Sequence, residues 1–165
     1  MKHTLVCGFG NLYRRDDGAG RAVVNALRKR MGRVPLSTMD DGFDDLTRSV
    51  DTVVLHQLVP EIADTVADYD LVIFVDAHVP DLPDPLHEEP ITPADRAPSF
   101  VSHQTPPGVL LDLAQRMYGH TPHAVMLSLR GYDFDFGEGL SPQTAALVPV
   151  AVERIMSLAQ ETASN

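Results

Sequence analysis

The stretch "DLVIFVDAH", Asp70–His78, limits the possible architecture more than any other. Leu71–Val75 is apolar at every position, so a strand built from it has no polar face to offer to water. Such a strand belongs inside a parallel sheet covered on both sides, and this one ends at a carboxylate, Asp76. Further strands are expected at His3–Cys7, at Val50–Gln57, in a short piece near His87–Ile91 and in "HAVMLSLRGYDF" from His123. Helical patterns alternate with them. Ala19–Met31 places Ala22, Val23, Ala26, Leu27 and Met31 on one face, with Gly32 as its stop. Pro60 and Glu61 open a second helix. Thr105–Gly119 forms a third, with Leu110, Leu113, Ala114 and Met117 turned inward. Ser141 caps and Pro142 begins a long last helix, with a kink expected at Pro149.

This alternation predicts an α/β fold: a three-layer sandwich with a twisted, mostly parallel five-stranded sheet between helices. Residues 1–165 read as a single domain. Two stretches fall outside the pattern, the acidic Gly32–Val50 segment and the proline-rich Val79–Phe100 excursion. In such sheets sites form beyond the carboxyl ends of the strands. That is where "GFGNLYRRDDGAG", Gly8–Gly20, follows the first strand and Asp76 ends the third.

The glycine loop excludes two familiar uses. A dinucleotide fingerprint needs a third glycine where Tyr13 stands, and a phosphate cradle needs a G-K-[ST] that is absent. A receiver-type signalling domain shares an acidic pair (here Asp16 and Asp17) and an aspartate after the third strand. It also needs a lysine after the last strand, and no lysine follows Lys29. What remains is a metal-binding site of two carboxylates and an imidazole, suited to nickel, zinc or iron. Charge alone does not select the histidine. His103, in the polar "SHQTP" before the third major helix, is the best placed, and His78, two residues beyond Asp76, is second. There is no H-E-x-x-H, no Ser–His–Asp order, and the one cysteine, Cys7, sits mid-strand.

The formal net charge of −10 argues against nucleic acid or anionic lipid as a partner. No apolar run approaches the ~18 residues of a membrane span, so no membrane association is expected. The N-terminal stretch lacks the pattern of a signal peptide, and with one cysteine the expected location is cytoplasmic.

Taken in order, "GFGNLYRRDDGAG", "LVIFVDA", "SHQ" before a helix and "GYDFDFGEGLSPQTAALVPVAVERI" resemble the hydrogenase maturation protease family over nearly the whole chain. "LHQLVPEIADTVADYDLVIFVDA" is most similar to the branch serving cytoplasmic or bidirectional hydrogenases. The resemblance implies an endopeptidase that removes a C-terminal peptide from the nickel-loaded large-subunit precursor of a nickel–iron hydrogenase. It places the metal contacts on Asp17, Asp76 and His103, with Asp17 standing where a glutamate is common. Asp17 and Asp76 are then also the catalytic candidates, in an aspartic-type or metal-assisted hydrolysis. Nickel is implied as something the substrate carries, with no permanently bound cofactor, and the free protein is expected to be a monomer. Asp16 is expected to be a structural or helix-capping residue. The family's D-G-G-T-x-G motif after strand two is replaced by His56–Gln57–Leu58. A non-catalytic metal-sensing or chaperone module on the same fold is the competing expectation.

Overall fold

The computed structural model describes residues 2–94 and 105–165. Five strands, β1 (Thr4–Phe9), β2 (Val50–Leu55), β3 (Leu71–His78), β4 (Leu86–Pro90) and β5 (His123–Arg130), form one sheet. Their order is β2-β1-β3-β5-β4; the β1–β2, β1–β3 and β3–β5 pairs are parallel and β4 joins β5 antiparallel. β3 is therefore the middle strand, with Leu71–Val75 buried throughout, as its unbroken apolar run requires.

Among the described residues four α-helices cover the sheet: α1 (Ala19–Arg30), α2 (Ala63–Ala67, entered through a 3-10 turn at Pro60–Ile62), α3 (Pro107–Tyr118) and α4 (Pro142–Ser164). Alternate residues of the strands divide the core. Val6, Ile73, Val75 and Leu127 pack with Val23, Leu27, Val152 and Ile155 of α1 and α4. Cys7, Val72, Phe74 and Ala124 pack with Val66, Leu110 and Leu111 of α2 and α3. The expected three-layer sandwich is the observed one.

Local details differ from the sequence expectations. On α3 the expected Leu110 and Ala114 are buried, but Leu111 joins them fully buried and Met117 is 64% exposed. α1 likewise buries Val24 rather than Ala22. In both helices the larger or better-placed branched chain takes the sheet contact. α4 runs through Pro149 as one helical span, and Ser141 caps it, its Oγ accepting from the Thr144 N–H at 3.4 Å.

The 32–49 segment forms no helix or strand. It is fixed against β2 by Arg28, which is 6% exposed and donates to Val34 O and Thr52 Oγ1 at 2.7 and 2.9 Å. Val54 N donates to Asp41 O and Arg33 donates to Val50 O, so this segment shields the outer edge of β2.

Between β1 and α1, Arg15–Gly18 forms a 3-10 turn that carries both carboxylates of the acidic pair. Asp16 is fully buried. Its Oδ2 accepts from Tyr132 N, Asp133 N and Ser141 Oγ at 2.8, 2.9 and 2.7 Å, and its Oδ1 accepts from Ser141 N at 2.7 Å. Burial pushes its pKa up, but the bonds from Tyr132, Ser141 and Asp133 outweigh this and hold it below the ordinary value. Asp16 thus ties the β1–α1 loop to the 131–141 turn and to the start of α4.

Asp16→Asn presents an amide to donors that need an acceptor, and should cost about 2–3 kcal/mol of stability at neutral pH. Because the folded pKa is lowered, the parent's advantage is present above the unfolded value and is lost as pH falls through the folded one. Urea denaturation of both proteins at pH 7 and in acid should show the two midpoints converging. Equal midpoints at pH 7 would contradict the clamp.

Candidate functional site

β1 leads into α1 on one face of the sheet, whereas β3 leads through residues 79–85 into β4 at the sheet's far edge. The segments after these two adjacent parallel strands therefore part and leave a crevice at the carboxyl edge. Asp17 enters it from the β1 side and Asp76 from the end of β3.

Gly10 is the hinge of this arrangement. Its φ is 136°, and its N–H bonds to Leu55 O and His56 O at 3.1 and 3.2 Å. A Cβ here would overlap the Asp17 carbonyl oxygen and stand 3.3 Å from Asp76 Oδ1. Only glycine lets the loop lie directly against both acids. Asn11 N donates to Asp17 Oδ2 at 2.7 Å, which fixes that carboxylate relative to the loop.

Asp76 is poorly solvated, and its buried Oδ1 has no hydrogen-bond partner among the described residues. Burial pushes its pKa up, a bond from Ala77 N–H pulls it down, and the neighbouring Asp17 pushes it up again, to about 7. A carboxyl in this range can either give or take a proton at neutral pH. An unsatisfied, poorly solvated carboxylate oxygen also suits an incoming cation.

The structure thus brings Asp17 and Asp76 together, while the third predicted contact, His103, lies outside the described residues. Among the described residues no group of three or more His, Cys, Asp or Glu side chains is arranged to hold a metal ion. His78, the second candidate, lies on the same face of β3 as Asp76; its Nδ1 is engaged with Ser128 Oγ at 2.8 Å, while its buried Nε2 has no hydrogen-bond partner among the described residues. Burial lowers its pKa. His120 bonds to Tyr69 O at 2.9 Å, and His3 faces Arg48 O at 3.3 Å. Cys7 is buried and its thiol is pushed up to about 12, so it is no nucleophile.

Beside the acids, a groove of about 320 Å³ is lined by Gly10, Tyr13, Met39, Asp41, Leu55 and His56. Met39 is 92% exposed and Tyr13 55%. The irregular 32–50 segment therefore forms one wall of the approach to the site. A larger hollow of about 490 Å³ lies at the opposite end of the sheet, between Lys2, Val50 and α4, away from the acidic pair. Sequence reasoning missed Asn11, whose contribution is a backbone N–H that no residue pattern reveals.

No family model and no curated protein matches the sequence. Solved structures do match the fold. The hydrogenase maturating endopeptidase HybD from E. coli superposes with a TM-score of 0.68 at 20% identity, covering 97% of this chain and 93% of that one. The [NiFe] hydrogenase maturation protease HycI from Thermococcus kodakarensis gives 0.65 at 20%, covering 96% and 93%. The hydrogenase 2 maturation peptidase from a Thaumarchaeota archaeon gives 0.60 at 21%, covering 95% and 97%. The chain has the α/β fold of the hydrogenase maturation endopeptidases over nearly its full length, as the sequence resemblance implied. No helix among the described residues is long and apolar enough to cross a membrane.

The folded pKa of Asp76 lies above its unfolded value of about 3.9. The stability this gives is full below the unfolded value and is lost as pH rises through about 7. Asp76→Asn should flatten the decline between about pH 4 and 7 and stabilise the protein at pH 8 by roughly 1–3 kcal/mol. Urea midpoints that track the parent's at every pH would show that the carboxyl is solvated.

Proposed function

We propose that this chain is a hydrogenase maturation endopeptidase, cutting a C-terminal peptide from the nickel-loaded large-subunit precursor of a nickel–iron hydrogenase. The observation that carries the reading is the acidic pair, Asp17 and Asp76, held against Gly10 at the crevice of a fold shared with the maturation endopeptidases. The sequence resemblance adds His103 as the third contact. In this reading nickel arrives as part of the substrate and is recognised by Asp17, Asp76 and His103. Asp76 is the group suited to general base chemistry. With a pKa of about 7 it can take a proton from an attacking water and return it to the departing amine. The unsatisfied Oδ1 supports this role, since no hydrogen bond among the described residues competes for its lone pairs. Tyr13 and Met39, exposed on the rim of the adjoining groove, would contact the precursor's chain.

Incubation with nickel-loaded, unprocessed large subunit should shorten it by one terminal peptide, read as a mass change. A metal-sensing or chaperone module would bind the precursor and leave its mass unaltered. Nickel-free precursor should remain uncut, and nickel added to the free protease should not replace nickel in the substrate. Asp17→Asn keeps the size of the side chain and removes the charge that favours a cation. It should lower processing at least ~10-fold, equivalent to ~1.4 kcal/mol. Met39→Asp should raise KM at least ~3-fold with little change in kcat, as expected for a residue that only binds. Efficient cutting of nickel-free precursor would remove the gating role of the acidic pair.

A further inference from the structure

Arg15 is the one non-glycine residue with left-handed backbone among those described, at φ 42°. Such a conformation costs an L side chain free energy and persists where its surroundings over-determine it. Here the surroundings are the 131–141 turn. Arg15 N donates to Gly137 O at 3.0 Å, and Gly137 N donates to Tyr13 O at 2.8 Å. Asp16 N donates to Asp133 O at 3.0 Å, and Arg14 Nε donates to Phe134 O at 3.1 Å. The Arg15 guanidinium lies 3.5 Å from Asp133 Oδ2 and rests on the bare backbone of Gly137. A Cβ at Gly137 would stand 3.2 Å from Arg15 Nε and 3.3 Å from its Cζ and Nη2.

The reversal at Arg15 decides where the next two side chains go. Asp16 turns inward to its four hydrogen bonds, and Asp17 accepts from Asn11 N and meets Asp76. We propose that Arg15 is a positioning residue: its left-handed turn, clamped against Gly137, sets the register that separates the structural acid from the functional one. This rests on the reading of Asp17 and Asp76 as the processing site. A slip of one residue would exchange the two carboxylates. The turn therefore matters more to the site than the half-buried position of Arg15 suggests.

The test compares Arg15→Val, which disfavours a left-handed backbone, with Arg15→Gly, which adopts it freely. Processing of nickel-loaded precursor is measured as kcat and KM, and hydrogen exchange is followed at the Asn11 amide, which reports the bond to Asp17 without needing activity. Arg15→Val should lower kcat at least ~10-fold with KM within ~2-fold. It should speed Asn11 exchange at least ~10-fold while the amides of β1 stay slow. Arg15→Gly should remain within ~2-fold of the parent on all counts. If the valine variant does not fold, Gly137→Ala, which strains the φ 147° backbone that pairs with Arg15 N and Tyr13 O, should give the same pattern. Parental kcat and exchange in Arg15→Val, or a glycine variant as impaired as the valine one, would overturn the proposal. A parent chain that cuts nothing would sink the functional reading, and Asn11 exchange would then decide the positioning role alone.

Discussion

A carboxylate without access to water, Asp16, is the point on which the site depends. Desolvating a charge is costly unless it is matched by donors. Here the donors come from the 131–141 turn and from both the backbone and the hydroxyl of Ser141. Those donors lie more than a hundred residues from Asp16 in sequence. One side chain therefore joins the first crossover of the sheet to the start of the last helix. Ser141 serves twice, donating to Asp16 and capping α4, so the helix cannot form its first turn correctly without also seating the acidic loop. This coupling leaves Asp17 as the neighbour free to face the crevice.

The second constraint is proximity. Gly10 lets backbone approach both acids, and burial, with a smaller push from the neighbouring Asp17, raises the Asp76 pKa to about 7. Structure and chemistry pull against each other at this point. An apolar strand end is a poor place for a carboxyl group, and the unsatisfied Oδ1 is the mark of that conflict. Local destabilisation of this kind is common where a group must be ready to change its protonation state or its partner.

Much of this was legible in the residues. The continuous apolar run at Leu71–Val75 fixed the middle of the sheet, because no half-exposed strand tolerates it. Ser141–Pro142 marked the start of α4 for a local reason, capping chemistry, that tertiary structure did not override. The buried faces of α1 and α3 were less legible. Periodicity allows neighbouring stripes when both contain apolar residues, and packing chose Leu111 over Met117. The antiparallel sense of β4 and the walling of the site by the 32–50 segment were beyond reach. Both depend on where the chain returns in space, which no local pattern encodes. The acidic pair was legible as an acidic pair, and the expectation carried by the resemblance, that Asp16 is structural, is met by its four hydrogen bonds.

The two borders of the sheet bear on how another chain can be gripped. β2 has its outer border occupied by the 32–50 segment, through Asp41 O and Arg33. β4 is only five residues long and carries Glu88, Glu89 and Pro90, with Glu88 paired to Arg154 at 2.6 Å. Short, charged, proline-ended borders discourage a foreign strand from adding to a sheet. A polypeptide approaching this protein is thus denied the backbone ladder by which many proteases hold an extended chain. On the proposed reading, the precursor is then gripped at the loop end by side chains, which favours a folded partner presenting one terminus over an unfolded chain of matching sequence.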